Sequence, residues 1–538
     1  MAEAPVLEDT ERTTGRVALR KNIAAAMALS GAVRSTLGPK GLDKLLLDDE
    51  GRTLVTNDGV TVLETARVEH PVARMLIDAS SAQDRAARDG TTSAVVIAAE
   101  LLRNAWHLVL QGVHPSTIVR GYRMAESEAM SHLEGLAFQG SEEELTTAVR
   151  SSLAGKASHA VQDRLAGLAM EAAKCVERTV DGVLEVDPTR VSTVMAVGRP
   201  ATDSEIVEGL VLQKRRAHPD MVKLVENGTI ALLDGGLERR KMRGDVTFQA
   251  TSPDVLDALR RREIERLLED VDAVAAAHVN VLAVSGAIDD EAHRRLLDLG
   301  VQAFRRVPVN DLDLLALATG ATVLHHVDAL HADACGHVLE SRSHMLGDLH
   351  HWTLRGEGTA ATLIARGSGD EIAEETSRCF DDALGVAAHL RKDRRLLVGG
   401  GASHVHLARH LRRFAEATPG REQMAIEAFA DALEVIPRAL AENAGLDPID
   451  ALLDVTAAQA DARSGAERIG LHLEQHVPAD LGAAGVLEPL SVIRPTVSGA
   501  TEAACAVLRI DDVLWARLEA QIPDDIQAQL DAMGEQDA

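Results

Sequence analysis

The feature that most limits the architecture is a change of hydrophobic period that happens twice along the chain. From Val17 to Thr36 the run VALRKNIAAAMALSGAVRST repeats apolar residues at helical spacing and stops at LGPKG, where Gly38 and Pro39 end it. The pattern returns in TTSAVVIAAELLRNAWHLVLQG, from Thr91, and in HPSTIVRGYRMAESEAMSHL, with Pro115 near the first turn. The centre differs. TIALLDGG, DVTFQATS, NVLAVSGA, QAFRRVPV and TAATLIARG are short β-rich runs alternating with helical stretches, the mark of an α/β layer. Within it SPDVLDALRRREIERLLEDVDAV predicts a charged helix with Ser252 as N-cap and Pro253 at its first position. After about residue 400 helical spacing resumes, in ASHVHLARHLRRFAEA and REQMAIEAFADALEVIPRALAENA. The expected architecture is a helical domain built from both ends that carries an α/β insertion. One early exception is KLLLDDEGRTLVTNDGVTVL, which reads as a hairpin whose second strand starts after the NDG turn.

At 538 residues the chain is long enough for about three domains. Aromatic residues make up only 2% of it, so Ala, Val, Leu and Ile must fill the cores, which favours close helix packing. The net charge of −27 argues against nucleic acid or an anionic membrane as the main partner. It also fits work in high salt, although a GC-rich genome would equally favour arginine over lysine. Cys175, Cys335, Cys379 and Cys505 lie far apart with no zinc or disulfide spacing, which fits a reducing compartment. The N-terminal MAEAPVLEDTERTTGR has no apolar core, and no stretch approaches 18 uncharged apolar residues. A soluble cytoplasmic protein is expected.

Several short segments could carry chemistry. In RDGTTSAVV the free N–H groups of a helix start could bind phosphate at Gly90 to Ser93, with Asp89 supplying a hard oxygen for Mg²⁺; alternatively Asp89 only caps the helix. TLGPKG is a second glycine loop or simply a helix stop. In NDGVTV, Asp58 could orient water or metal, or only shape a turn. The VGGGAS run, with Gly399 to Gly401, lets backbone approach a ligand or serves as a hinge. CFDDALGVAAHL sets Asp381 and Asp382 ahead of an apolar helical run, where both could be an ordinary acidic first turn. Histidines crowd the stretch from His325 to His351 around Cys335 without matching a zinc pattern, and read as scattered on the surface. Neither a Walker A sequence nor a G-x-G-x-x-G after a strand is present.

Taken in order, STLGPKGLDKLL, TNDGVTVL, VEHPVARML, DGTTSAVVIAAELL, HPSTIVRGY, EQMAIEAFADALEVIPRALAENAGLDPID and ATEAACAVLRIDDV resemble the group II chaperonins, the archaeal thermosome and its eukaryotic cytosolic counterparts. HPDMVKLVENGTIALLD and the charged helix that follows resemble that family's apical domain with its helical protrusion. The likeness spans nearly the whole chain. It implies a multidomain fold: a mainly α equatorial ATPase domain from residues 1–147 and 399–538, an intermediate domain from 148–212 and 366–398, and an α/β apical substrate-binding domain at 213–365. It further implies ATP and Mg²⁺, a homo- or hetero-oligomeric double ring of related subunits, and non-native polypeptides as clients. Carried over by position, Thr36, Leu37, Gly38 and Pro39 match the loop near base and phosphates, with Asn57 beside them. Gly90, Thr91, Thr92 and Ser93 match the phosphate loop and Asp89 the metal ligand. Gly400 and Glu488 match contacts to the nucleotide and its ribose. Asp58 and Asp382 match the acids that activate water, and Asp382, on the intermediate domain, would reach phosphate only when that domain swings down.

The chain departs from the family at three places. Arg88 replaces the first glycine of G-D-G-T-T, which at positive φ would cost on the order of 1 kcal/mol. On strain alone, Arg88→Gly should leave nucleotide binding intact and raise turnover. VMAVGRPATDSE, from Val194 to Glu205, stands where relatives carry lysines that sense the γ-phosphate. His404 replaces a glutamate, which suggests an altered subunit or ring contact. These departures keep open a structural or regulatory ring subunit with little hydrolysis beside an active ATPase. A free-standing small-molecule phosphotransferase is the third class, and predicts a compact monomer.

Overall fold

The computed structural model describes residues 10–47, 53–65, 68, 70–239, 253–347, 349–462 and 464–516. Its largest apolar cluster joins the two ends of the chain. Helices Gly15–Arg34, Pro71–Ala87, Thr91–Leu110 and Pro115–Leu136 pack with Ala402–Glu416, Glu422–Leu433 and Leu490–Leu508. Thr91–Leu110 runs through the middle, long and apolar enough to cross a bilayer by length and composition, but mostly covered by other helices. Its Glu100 is 2% exposed and sits between Arg103 and Arg438. Small residues let the helices approach closely: a methyl group on Gly121 would lie 2.5 Å from the Cβ of Ala425. The one tyrosine, Tyr122, rests edge-on against Phe429 and donates its hydroxyl to the Leu101 carbonyl at 2.7 Å. Strand Thr10–Thr14 pairs antiparallel with Asp512–Ala516, so the two ends also share backbone hydrogen bonds.

A second cluster lies between helices Glu142–Ser152, His159–Cys175 and Asp370–Lys392. The first of these starts on a capping box, Ser141 and Glu144 each bonding the other's backbone N–H. A three-stranded sheet backs it, with Ala361–Gly367 parallel to Val191–Val197 and antiparallel to Glu205–Glu208. The third region is a seven-stranded mixed sheet with apolar clusters on both faces. Its order is Gln302–Phe304, Val281–Val284, Leu224–Leu233, Gly336–Leu346, Leu349–Gly356 and Leu210–Leu212, with Val323–Leu324 beside Leu224–Leu233. Phe304 stacks on Trp352 at 3.8 Å, and the indole N–H donates to Ser341 at 2.8 Å.

The structure corrects three local expectations. The hairpin is Lys44–Leu47 with Thr53–Thr56, and GVTV after the NDG turn opens the helix Gly59–Thr65. Asp381 and Asp382 lie in the middle of the Asp370–Lys392 helix, not in its first turn. His351 is 1% exposed rather than on the surface. Among the described residues no group of three His, Cys, Asp or Glu side chains is placed to hold a metal, and all four cysteines are free thiols. DVTFQATS and the Ser252 cap lie outside the described residues; Pro253 is the first residue of its helix.

Candidate nucleotide site

Four loops and one strand end meet around a cavity of about 510 Å³, large enough for a nucleotide. The phosphate-loop segment forms one wall. Arg88 ends the Pro71–Ala87 helix at φ 55°, Gly90 follows at φ 78°, and the Thr91–Leu110 helix begins, so its first N–H groups face the cavity with Gly90, Thr91, Thr92 and Ser93. Gln83 fastens this turn, donating to the Asp89 carbonyl at 2.9 Å and to the Thr496 hydroxyl at 3.0 Å. A methyl on Gly90 would lie 2.5 Å from that hydroxyl. The Asp89 carboxylate accepts the Gly90 N–H at 2.7 Å through Oδ1.

A second wall is the turn between helix and hairpin. Thr36, Leu37, Gly38 and Pro39 line the cavity, and Asn443 holds the turn by donating to the carbonyls of Arg34 and Leu37. Asn57 and Asp58 also line it. Asn57 donates to the Gly155 carbonyl at 3.0 Å. Asp58 heads the Gly59–Thr65 helix, its Oδ2 accepting the Thr61 N–H at 2.9 Å and the Thr61 hydroxyl at 2.6 Å. Gly59 is required by proximity, since a methyl there would come within 2.2 Å of the Thr92 hydroxyl. On the far side, Gly400 at φ 63° donates its N–H to Glu488 Oε1 at 3.3 Å, on the strand Leu487–Pro489. Burial, then the nearby Asp89 charge, push the Glu488 carboxyl up to about 7.

Asp382 is not in the cavity wall itself. It reaches the site through Lys156, which does line the cavity and whose ammonium donates to Asp382 Oδ2 at 2.6 Å. Burial works against the Lys156 charge, but Asp382 and then Asp89 outweigh it, so its pKa rises and the ammonium stays charged. Burial raises the Asp89 carboxyl, and Lys156 pulls the other way. Asp58, Asp89 and Asp382 thus form an acidic group around one cation.

The structure gathers the sequence candidates and adds two. Lys156 was legible only as a lysine in SSLAGKAS, after a helix, in a chain where lysine is scarce. Val194–Glu205, by contrast, is a sheet edge and a short turn outside the cavity lining, so the cation beside the acids comes from a different segment. His404 is the second addition. It is 5% exposed and part of the cavity wall rather than the outer surface; burial lowers its pKa to about 4. Its Nε2 has no hydrogen-bond partner among the described residues.

A conserved-family model described as the TCP-1/cpn60 chaperonin family matches residues 29–517. A thermosome subunit from Pyrococcus horikoshii is 39% identical over 524 residues, covering 96% of this chain and 95% of the relative. One from Methanocaldococcus jannaschii is 40% identical over 525 residues, 96% of both chains, and a thermosome beta subunit from Archaeoglobus fulgidus is 39% identical over 521 residues, 95% of both. A match that runs through every segment around the cavity, at this identity and coverage, settles the kinship: the chain belongs to the TCP-1/cpn60 chaperonin family, in its group II, thermosome-like branch.

Proposed function

We propose that this chain is an ATP-hydrolysing chaperonin subunit that works in the cytoplasm, enclosing non-native polypeptides in a double ring of related subunits with a built-in lid. The observation that carries the reading is the Lys156–Asp382 pair at the edge of a cavity headed by the free N–H groups of the Thr91–Leu110 helix. That arrangement suits a polyphosphate: helix N–H groups and an ammonium for the anion, and carboxylates beside it for water. The apolar clusters support a three-part division, with 1–147 and 399–538 as the equatorial domain, 148–212 and 366–398 as the intermediate, and 213–365 as the apical, but not its bounds at two joins: Leu210–Leu212 is a strand of the seven-stranded sheet, and Ala361, Leu363 and Ala365 pack in the second cluster.

Thr36 to Pro39 and Gly400 hold the nucleotide, and Glu488 accepts from its ribose. Gly90 lets the backbone approach the phosphates, and the N–H groups of Thr91 to Ser93 donate to them. Asp89 fits Mg²⁺, a hard cation that takes one or two carboxylates and leaves other positions to phosphate and water; Asp89 spends one oxygen on Gly90 and keeps the other. When bound, Mg²⁺ neutralises phosphate charge. Asp58 and Asp382 orient the attacking water and accept its proton, each with one oxygen already fixed by Thr61 or Lys156. Lys156 neutralises charge that develops on the transferred phosphoryl group.

The test is refolding of a guanidine-unfolded enzyme, such as citrate synthase, by the purified chain. A particle near the megadalton scale that recovers activity only with ATP and Mg²⁺ supports the proposal. A compact monomer that phosphorylates small molecules would overturn it. A ring without hydrolysis would instead support the structural or regulatory subunit, a reading that the strained Arg88 favours.

A further inference from the structure

Arg88 sits in the left-handed region at φ 55°, a conformation that is strained for a non-glycine residue. Something must offset that cost. The Arg88 stem lies directly against Gly385, in the middle of the Asp370–Lys392 helix: a methyl group on Gly385 would fall 2.2 Å from Arg88 Cγ and 2.5 Å from its Cβ. The Cβ is fixed by the backbone and cannot move aside without moving the turn, and the Cγ can do so only by changing the χ1 rotamer. A glycine inside a long helix is itself unfavourable relative to alanine, because its backbone loses more freedom on folding. Two local penalties in different elements therefore meet at one contact, an arginine where glycine would suit the backbone and a glycine where alanine would suit the helix.

The contact joins the two sides of the proposed catalytic centre. Arg88 directly precedes Asp89 and the phosphate-loop helix. Gly385 lies three residues after Asp382, on the same helix face one turn away. The Arg88 guanidinium is half exposed and pairs with Asp84 on its own helix at 3.3 Å, while its charge also opposes the burial that raises the Asp381 carboxyl beside Asp382.

Resting on the ATPase reading above, we propose that Arg88 is a positioning residue: its stem, seated in the Gly385 notch, sets the height of the Asp370–Lys392 helix over the phosphate loop and so places Asp382 beside Lys156 and the attacking water. Strain at Arg88 is then part of the fit between two elements, and removing it does not help turnover. An error of about 1 Å in a water-orienting group can cost on the order of 100-fold in rate.

The experiment is single-turnover ATP hydrolysis by the assembled full-length protein, with ATP affinity measured separately. Arg88→Gly is expected to slow hydrolysis about tenfold or more while ATP affinity changes less than about twofold. Gly385→Ala, which by helix propensity alone would favour folding, should slow it to a similar degree. Combining the two removes the clash and refills the notch, so the double variant should hydrolyse faster than Gly385→Ala alone. Arg88→Met, which keeps the stem and drops the charge, should restore most of the rate lost in Arg88→Gly. An Arg88→Gly rate that is unchanged or raised while Asp382→Ala abolishes hydrolysis would overturn this proposal and leave the ATPase reading intact, as would purely additive effects in the double variant. Absence of hydrolysis in the unsubstituted protein would overturn both.

Discussion

Lys156 is enclosed with three carboxylates, and each of them favours its charge. Because its pKa in the folded protein lies above the unfolded value, the pairing contributes stability at all ordinary pH and loses it only as pH rises through the raised value. Lys156→Met should therefore lower kcat on the order of 100-fold, the usual loss when one charge-stabilising donor is removed, with a smaller change in KM. A variant with a normal kcat would remove Lys156 from the chemistry. Glu488 is shifted in the same direction, but its loss of stability falls within the ordinary pH range. Its carboxyl is raised to about 7 from 4.5, chiefly by burial, so folding favours the protonated form and stability falls as pH climbs from 4.5 through 7. The cost of ionising it at pH 8 is at most about 3 kcal/mol. In nucleotide-free protein Glu488→Gln should unfold at higher temperature than the unsubstituted chain at pH 8, and the gap should close by pH 5; a gap that does not vary with pH contradicts this.

Helix starts and tight turns carry the site, and their glycines separate two kinds of position. At Gly90 the backbone is left-handed and a methyl would meet Thr496, so Gly90→Ala should cost about 1–3 kcal/mol and weaken ATP binding more than tenfold. Gly167 lies exposed within the His159–Cys175 helix with open space around it, so Gly167→Ala should raise stability by roughly 0.5–1 kcal/mol. Thermal unfolding of both variants checks the contrast, and equal destabilisation would contradict it. The same distinction explains what the sequence could reveal. Helices such as Thr91–Leu110 and Pro115–Leu136 were legible because their start signals and apolar spacing agree. Val60 to Leu63 read as a strand because the run is β-branched, but Asp58 caps it and Val62 and Leu63 bury against the helical core, which outweighs propensity. The site loops were legible through their glycines and acids. Lys156 and the Arg88–Gly385 contact were not, since each becomes visible only when segments more than 200 residues apart in the chain meet.

Across the whole molecule, a net charge of −27 and cores made of small aliphatic residues set the conditions under which the fold holds. Exposed carboxylates repel one another, and salt screens that repulsion with a length of about 10 Å at 0.1 M and about 3 Å at 1 M. Raising potassium chloride from 0.1 M to 1 M should raise the unfolding temperature; a flat or falling value would show that the surface ion pairs, such as Arg262 with Glu265, matter more than net charge. Segments from both halves of the chain, among them the strand Leu487–Pro489, line one cavity, and the Asp370–Lys392 helix is tied to its wall through the Asp382–Lys156 pair. The most direct test is the steady-state ATPase rate of the assembled protein beside Asp58→Ala and Asp382→Ala. Mg²⁺-dependent hydrolysis is expected, falling at least about 100-fold in each variant while ATP still binds; assembled rings that bind ATP without hydrolysing it, or variants that keep the full rate, would contradict the assignment of these two acids to hydrolysis.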